Sequence, residues 1–460
     1  MHNLLRCRRG VSAFITLIAM APLMGVVALG GEAGSWYVTK QHAQNAADAA
    51  AYSGALKRAC ELAGNGTCST DAQTVAYRGK EFASQSAFCD AGDGTAYPGR
   101  VCSTSLPSGV SQAVTINTLT TWNGNSGNFV QAIVSQQQPV YLAKILGLTT
   151  VNLGAQAIAQ VVGGGAIANP CVLSLKGSIS FQGSPNINAS NCGLASNDPA
   201  SDALNFTGGG MTIKVGSLSA AGGCSGAASF CNATTTHTFW PPITNPFSAL
   251  DGALTSLCGA NPSLPATCGL STTGACNAGM TLIPYTAATP CTNNGVTTKG
   301  NTAVTLTPGV YFISGTLTLK GGSSITGTGV TLVLLPGATF DTNGGGTITV
   351  TGPTSAPATT SLPPAFQSDA SLFNGMAIYD ASSTAVQFGG NSNINLTGNI
   401  YAPTAAVTFQ GNPSINFGGG ACGELIAYSV AFNGNATLNT QGCASAGIPT
   451  PVAQYVALVQ

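Results

Sequence analysis

Charge is what this sequence lacks most. Only 6% of its 460 residues are Asp, Glu, Lys or Arg, against about 25% in an ordinary soluble domain. Residues 300–460 hold a single cation, Lys320, and four acids, Asp341, Asp369, Asp380 and Glu424. Such a surface cannot neutralise a phosphate backbone, so no nucleic-acid partner is expected. Histidine is nearly absent: His2, His42 and His237 are all there is. With no CxxC pairs either, zinc-ligand spacing is missing and no metal or other cofactor is expected. The low charge does not signal disorder, because hydrophobic content is 44% and disorder needs few apolar residues. Ser, Thr, Asn, Gln and 60 Gly do the solvating instead.

What is present is cysteine. Of 15, Cys7 precedes an apolar segment and the rest follow it as an even, scattered set. The reading is an oxidising compartment with up to seven disulfides. Buried free thiols are the alternative. Residues 11–31, VSAFITLIAMAPLMGVVALGG, carry no charge. At 1.5 Å per residue they span about 31 Å, enough for the hydrocarbon core. Arg6, Arg8 and Arg9 come before the segment and the next basic residue after it is Lys40. The positive-inside rule then places the N-terminus in the cytoplasm and the bulk beyond the inner (cell) membrane, periplasmic or extracellular. A cleaved signal peptide is the rival, but its apolar region would be long and its cleavage site poor.

The stretch 8–56 resembles the N-terminal segment of TadG/TadE-like Flp pilus-assembly proteins. The matching residues are Arg9, Gly10, Pro22, Glu32, Tyr37, Gln44, Ala47, Asp48, Ala49, Ala50, Gly54 and Ala55. Of these, Gly10, Glu32, Gln44 and Asp48 carry the motif. A second stretch, 136–161, resembles that family's strand, short helix and strand with a central Gly. The resemblance implies a membrane protein whose partners are other pilus-assembly or envelope proteins. Two departures matter. Prepilin-like members carry Glu five residues after the cleaved Gly, where this chain has Ile15. The string Asp380-Ala381-Ser382 matches part of a von Willebrand A metal motif by chance, since too little chain follows it.

Internal repeats organise the rest. FQGSPNIN (181–188), FGGNSNIN (388–395), FQGNPSIN (409–416) and FNGNATLN (432–439) share one pattern. Phe388, Phe409 and Phe432 are spaced by 21 and 23 residues. A period near 22 suits one coil of a parallel β-helix-like solenoid, turned at Gly and Asn. Phe181, Phe388, Phe409 and Phe432 would then stack as an interior ladder, or stand exposed to a partner in an adhesive reading. Asn188, Asn395, Asn416 and Asn439 would form a second ladder. Cys171 and Cys192 are 21 apart, as are Cys422 and Cys443, each pair in the same frame around a Phe. Neighbouring strands lie ~4.8 Å apart, within disulfide reach, so the bonds Cys171–Cys192 and Cys422–Cys443 are expected. Residues 301–350 supply more strands, and LTPGVYFISGTLTLKG resembles the opening coils of bacterial surface β-solenoids, ice-binding adhesin domains included.

The expected architecture is mainly β. A stub, transmembrane helix and amphipathic extension occupy 1–62, and a small α+β region occupies 63–165. A β-solenoid fills 166–460, with a Cys-rich irregular insertion at 225–300. Residues 170–224 are read as the first coils, the loop 353–371 as projecting, and the C-terminal PVAQYVALVQ as capping or extending an edge. An enzyme is not expected. Glycoside cleavage needs two carboxylates in one cleft, and Asp380 and Glu424 read as solvated turn residues. The function that fits is an anchored structural protein of the Flp/Tad type, its solenoid serving as scaffold or adhesin. The alternatives are a surface-binding adhesin with no pilus role and, behind it, a polysaccharide-acting β-helix enzyme. Surface polysaccharide and self-association are the further candidate partners.

Overall fold

The computed structural model describes residues 8–63, 72–90, 97–102, 106–163, 167–259, 268, 270, 277–278, 280–290, 292–417, 423–443 and 448–459. The fold is mainly β behind one long helix. It divides into two compact units.

The first unit combines Met1–Arg58, Ala72–Val162 and Val456–Gln460. Helix α1 (Arg8–Ala63) runs unbroken through Pro22. In its first half Ile18, Leu23, Val26 and Val27 are each at least 60% exposed. It is long and apolar enough to cross a membrane. Its second half is different. Ala43, Ala46, Ala47, Ala50, Ala51, Ala55 and Ala59 are completely buried. They recur at three- and four-residue spacing and so form one face. Small side chains let a helix lie close, and the fit is tight: a Cβ on Gly54 would meet Val130 Cγ1 at 2.9 Å. Helix α2 (Val75–Gln85) starts at Thr74, whose hydroxyl accepts from Tyr77 N. Strands β1 (Ser111–Trp122), β2 (Asn125–Pro139) and β3 (Thr150–Gly163) form an antiparallel meander. Asn123 and Gly124, at φ 49° and 79°, make the tight turn between β1 and β2. The C-terminal strand Gln454–Leu458 joins this sheet beside β3, a correction to the expectation that it would cap or extend an edge of the solenoid.

The second unit combines Ala59–Asp71 and Gly163–Tyr455 around a 21-stranded sheet. Its strands pair in parallel and fall into three rows. One row includes 309–313, 330–334, 376–379 and 425–427. A second includes 386–390, 406–411 and 429–434. The third includes 303–306, 324–328, 347–351, 393–397, 414–417 and 437–439. The inward side chains of all three rows make one continuous core.

Spatial order departs from chain order. Residues 170–224 were expected as the first coils, yet they continue the stack that ends at 439. Residues 425–427 pair with 172–174, 430–434 with 179–183, and 437–439 with 186–188. The chain must therefore travel from one end of the stack back to the other between 237 and 293. On the way, residues 243–250 lie against the outer face of the first row. Asn197 exchanges hydrogen bonds with the Ile243 backbone, Asn245 Nδ2 donates to Tyr401 Oη, and Tyr379 Oη donates to Leu250 O. This row is consequently buried on both faces, and every residue of VTLVL and MAIYD is buried.

The segment 353–371, expected to project, is a correction. Leu362 and Phe366 are completely buried, as is Phe373 just beyond it. They pack with Phe247, Leu250, Phe312 and Tyr379 in a second core on that same outer face. Within the segment Leu362 and Phe366 are the large apolar side chains that it buries, followed by Phe373.

Candidate functional site

The repeat residues come together in one register. Phe388 pairs with Phe409, Phe409 with Phe432, and Phe432 with Phe181. All four are completely buried. Successive ring centroids lie 5.3, 5.1 and 5.4 Å apart, with planes within 12°. Three further rings extend the ladder: Phe340 edge-on to Phe388, then Phe206 stacked on Phe181 and Phe230 on Phe206. The flanks of these three differ from the repeat pattern, although Phe206-Thr207-Gly208 keeps the first three motif positions. The Gly of each motif has a physical reason. Gly183, Gly390, Gly411 and Gly434 all have φ between 63° and 88°, and a Cβ on Gly434 would lie 2.6 Å from Gly411 O in the next turn.

The asparagines stack on the third row. Asn416 Nδ2 donates to Asn395 Oδ1 at 3.4 Å, and Asn439 Nδ2 to Asn416 Oδ1 at 2.8 Å. Asn188 is in register with Asn439. A parallel ladder runs through Asn391, Asn412 and Asn435. It occupies the fourth position of the same motif, so the signal was in the repeat. Outward positions of this row are Thr or Asn over many turns: Thr305, Thr326, Thr349, Asn395, Asn416 and Asn439 are successive partners.

Cys171 and Cys192 are disulfide-bonded, with Cα atoms 5.6 Å apart. Cys443 is disulfide-bonded as well; Cys422, its expected partner, lies outside the described residues. Cys89–Cys102, Cys224–Cys231 and Cys258–Cys268 are also bonded, and Cys60 takes part in a disulfide.

The family-motif residues do packing and positioning. Gly10 lies in the first turns of α1. Gln44 Nε2 donates to Asp48 Oδ1 at 2.8 Å and to Gln156 O of β3 at 3.3 Å, tying helix to sheet. Glu32 accepts three backbone N–H groups, from Tyr141 at 2.7 Å, Leu142 at 3.0 Å and Ala143 at 2.8 Å. These open the 3-10 turn Ala143–Leu146, closed by Gly147 at φ 86°. A carboxylate is suited to N–H groups that lack intrahelical partners.

Asp380 and Glu424 are a second correction: they are not solvated but 0% and 2% exposed. Asp380 ends the strand Met376–Asp380, and Glu424 immediately precedes the strand Leu425–Gly434. Burial pushes the Asp380 carboxyl up to about 7, against lowering hydrogen bonds from Ser382. Burial likewise pushes Glu424 up to about 8, against the Cys443 N–H. Asp251, raised by burial to about 6, accepts from Tyr401 Oη through both oxygens, at 2.9 and 2.8 Å. Asp380 Oδ2 and Glu424 Oε2 have no hydrogen-bond partner among the described residues, as befits a protonated or poorly satisfied carboxyl in the interior. Among the described residues no three His, Cys, Asp or Glu side chains gather where a metal ion would sit.

These features define a class: a long apolar N-terminal helix carrying a small sheet, joined to a large unit of stacked parallel strands. Residues 10–58 match the family model for Flp pilus-assembly TadE/G-like proteins, so the N-terminal segment carries a TadE/G-like domain. Residues 285–441 match a domain of unknown function, DUF7305. No curated protein matches the chain. A competence-associated pilin, ComZ from Thermus thermophilus, aligns over 84% of this chain and 94% of its own at 12% identity. Its TM-score is 0.19, at which the likeness carries no argument about fold or function.

Proposed function

We propose that this protein is an envelope-anchored structural component of the Flp/Tad pilus-assembly type. Residues 11–31 cross the inner membrane once, with the N-terminus in the cytoplasm and the bulk outside. Residues 166–460 form a β-solenoid rod that acts as a scaffold or an adhesive module, and 63–165 are a small region between anchor and rod. The TadE/G-like match on residues 10–58 carries this reading. It falls on the apolar helix together with the alanine face that seats the small sheet. Low charge and disulfides suit a rod working outside the cytoplasm. Deleting the gene tests the pilus role: loss of Flp pili supports it, and normal piliation refutes it. Protease treatment of whole cells and spheroplasts bearing a C-terminal tag tests the topology, because a tag cleaved only once the inner membrane is breached would place the rod in the cytoplasm.

The adhesive reading has its own support in the Thr and Asn rows. They offer hydroxyl and amide groups on one face at the ~4.8 Å strand spacing. A surface polysaccharide is the partner that such a repeating polar face suits. Retention of the detergent-solubilised protein on polysaccharide, abolished by Thr349→Lys and Asn416→Lys together, is the expected result. Equal retention of that double variant would count against the face.

A further inference from the structure

The connection between β2 and β3, residues 140–149, is unusual for a surface loop. Tyr141 is 77% exposed, Leu142 39% and Leu148 45%. Lys144 is exposed among them. Large apolar groups are a poor choice for a loop in water, where polar turn residues are the rule. The loop's position is fixed by Glu32, whose carboxylate binds the N–H groups of three consecutive residues, 141 to 143. Glu32 is the first residue after the uncharged run 11–31. Helix rise is ~1.5 Å per residue, so the clamp sits at the level where the span leaves the hydrocarbon. The next turn of α1 shows the same character: Tyr37 is 65% exposed and Val38 51%, beside Trp36. Tyr and Trp favour that boundary, their rings among acyl chains and their polar atoms among headgroups.

We infer that the 140–149 loop is a second membrane contact. Tyr141, Leu142 and Leu148 enter the headgroup–acyl boundary of the bilayer that α1 crosses, and Lys144 lies among the lipid phosphates. Lipid is the occupant because the loop is continuous with the span through the Glu32 clamp. The clamp makes one rigid foot of helix and loop, so the first unit meets the membrane at two points instead of swivelling on one. This inference rests on the anchor reading of α1.

The test uses the full chain in bilayers containing brominated lipid, with Trp36→Phe as background. Leu148→Trp reports on the loop, Leu23→Trp on the span, and Asn125→Trp on the far end of β2. That far end is ~46 Å from the loop at ~3.3 Å per residue. Brominated lipid is expected to remove most of the added emission of Leu148→Trp and Leu23→Trp, and little of that of Asn125→Trp. Adding Glu32→Gln should restore the Leu148→Trp emission while leaving Leu23→Trp quenched. If Leu23→Trp is quenched and Leu148→Trp is not, the loop contact is wrong and the anchor stands. If neither is quenched, the anchor reading fails as well.

Discussion

Replacing Phe409 by Ala tests the ladder where it is most confined. The ring is completely buried between Phe388 and Phe432, at 5.3 and 5.1 Å. Deleting a buried Phe side chain costs ~3–5 kcal/mol, a transfer term plus the cavity left behind. Two lost stacking contacts, at ~0.5–1.5 kcal/mol each, form part of that sum. The site cannot collapse to recover it. Phe388 and Phe432 are pinned by backbone pairing of 386–390 and 429–434 to the strand that bears residue 409. Closing the gap would compress the ~4.8 Å strand spacing. The upper part of the range is therefore expected. Each turn touches only its neighbours, so the damage should be local at first. Hydrogen exchange read by mass spectrometry should show lost protection at 386–390, 406–411 and 429–434, with β1–β3 of the first unit unchanged. Phe239→Ala is the control, since Phe239 is 76% exposed. If Phe409→Ala costs no more than that control in a urea titration, the stacked interior does not stabilise the protein as argued.

The buried acids set a pH dependence. Asp251, Asp380 and Glu424 hold protons up to about 6, 7 and 8 in the folded chain. Unfolded carboxyls release theirs near ~4. The folded state thus binds more protons across that window, and their contribution to stability is fully present below pH ~4 and lost as pH rises through 6 to 8. Thermal melts should rise on going from pH 8.5 to pH 5.5, and Asp380→Asn with Glu424→Gln should flatten the trend; a melt that climbs with pH would contradict it. Exchanging Cys171 and Cys192 for Ser together opens a 21-residue loop and should cost ~3 kcal/mol in the unfolding free energy. An unchanged denaturation midpoint would mean that the bond constrains nothing. Gly54→Val should separate α1 from the sheet, because Val130 leaves no room for a Cβ; unaltered protease resistance of 72–162 would refute that fit.

The repeat was legible because it is written in small numbers. Phe at one position, Gly two later and Asn seven later place a ring inside, a left-handed bend at the corner and an amide outside. A spacing of about 21 then brings copies together whatever lies between them. The expected Cys171–Cys192 pair followed from the same arithmetic. Asp380 and the 353–371 segment were misplaced for one cause: each lies on or over the row that the returning chain covers, and from local sequence alone the outside of a sheet reads as solvent. Glu424 is buried beside a different segment, whose Cys443 N–H it accepts. Asp380 ends an apolar strand, which normally means a turn in water; here Tyr379 beside it is also buried, because another segment lies across the outer face.

The sequence by itself determined the apolar span, the amphipathic continuation of α1, the repeat frame and the Cys171–Cys192 pair, since each depends on residues near in the chain or on a fixed period. Only the tertiary structure decided that residues 170–226 stack after 439 instead of before 303. It also decided that Glu32 holds a loop more than a hundred positions away. A parallel stack accepts any strand of matching length and pattern at its end, so local signals cannot name the neighbour. That choice is made by which apolar faces remain open once the rest of the chain has packed.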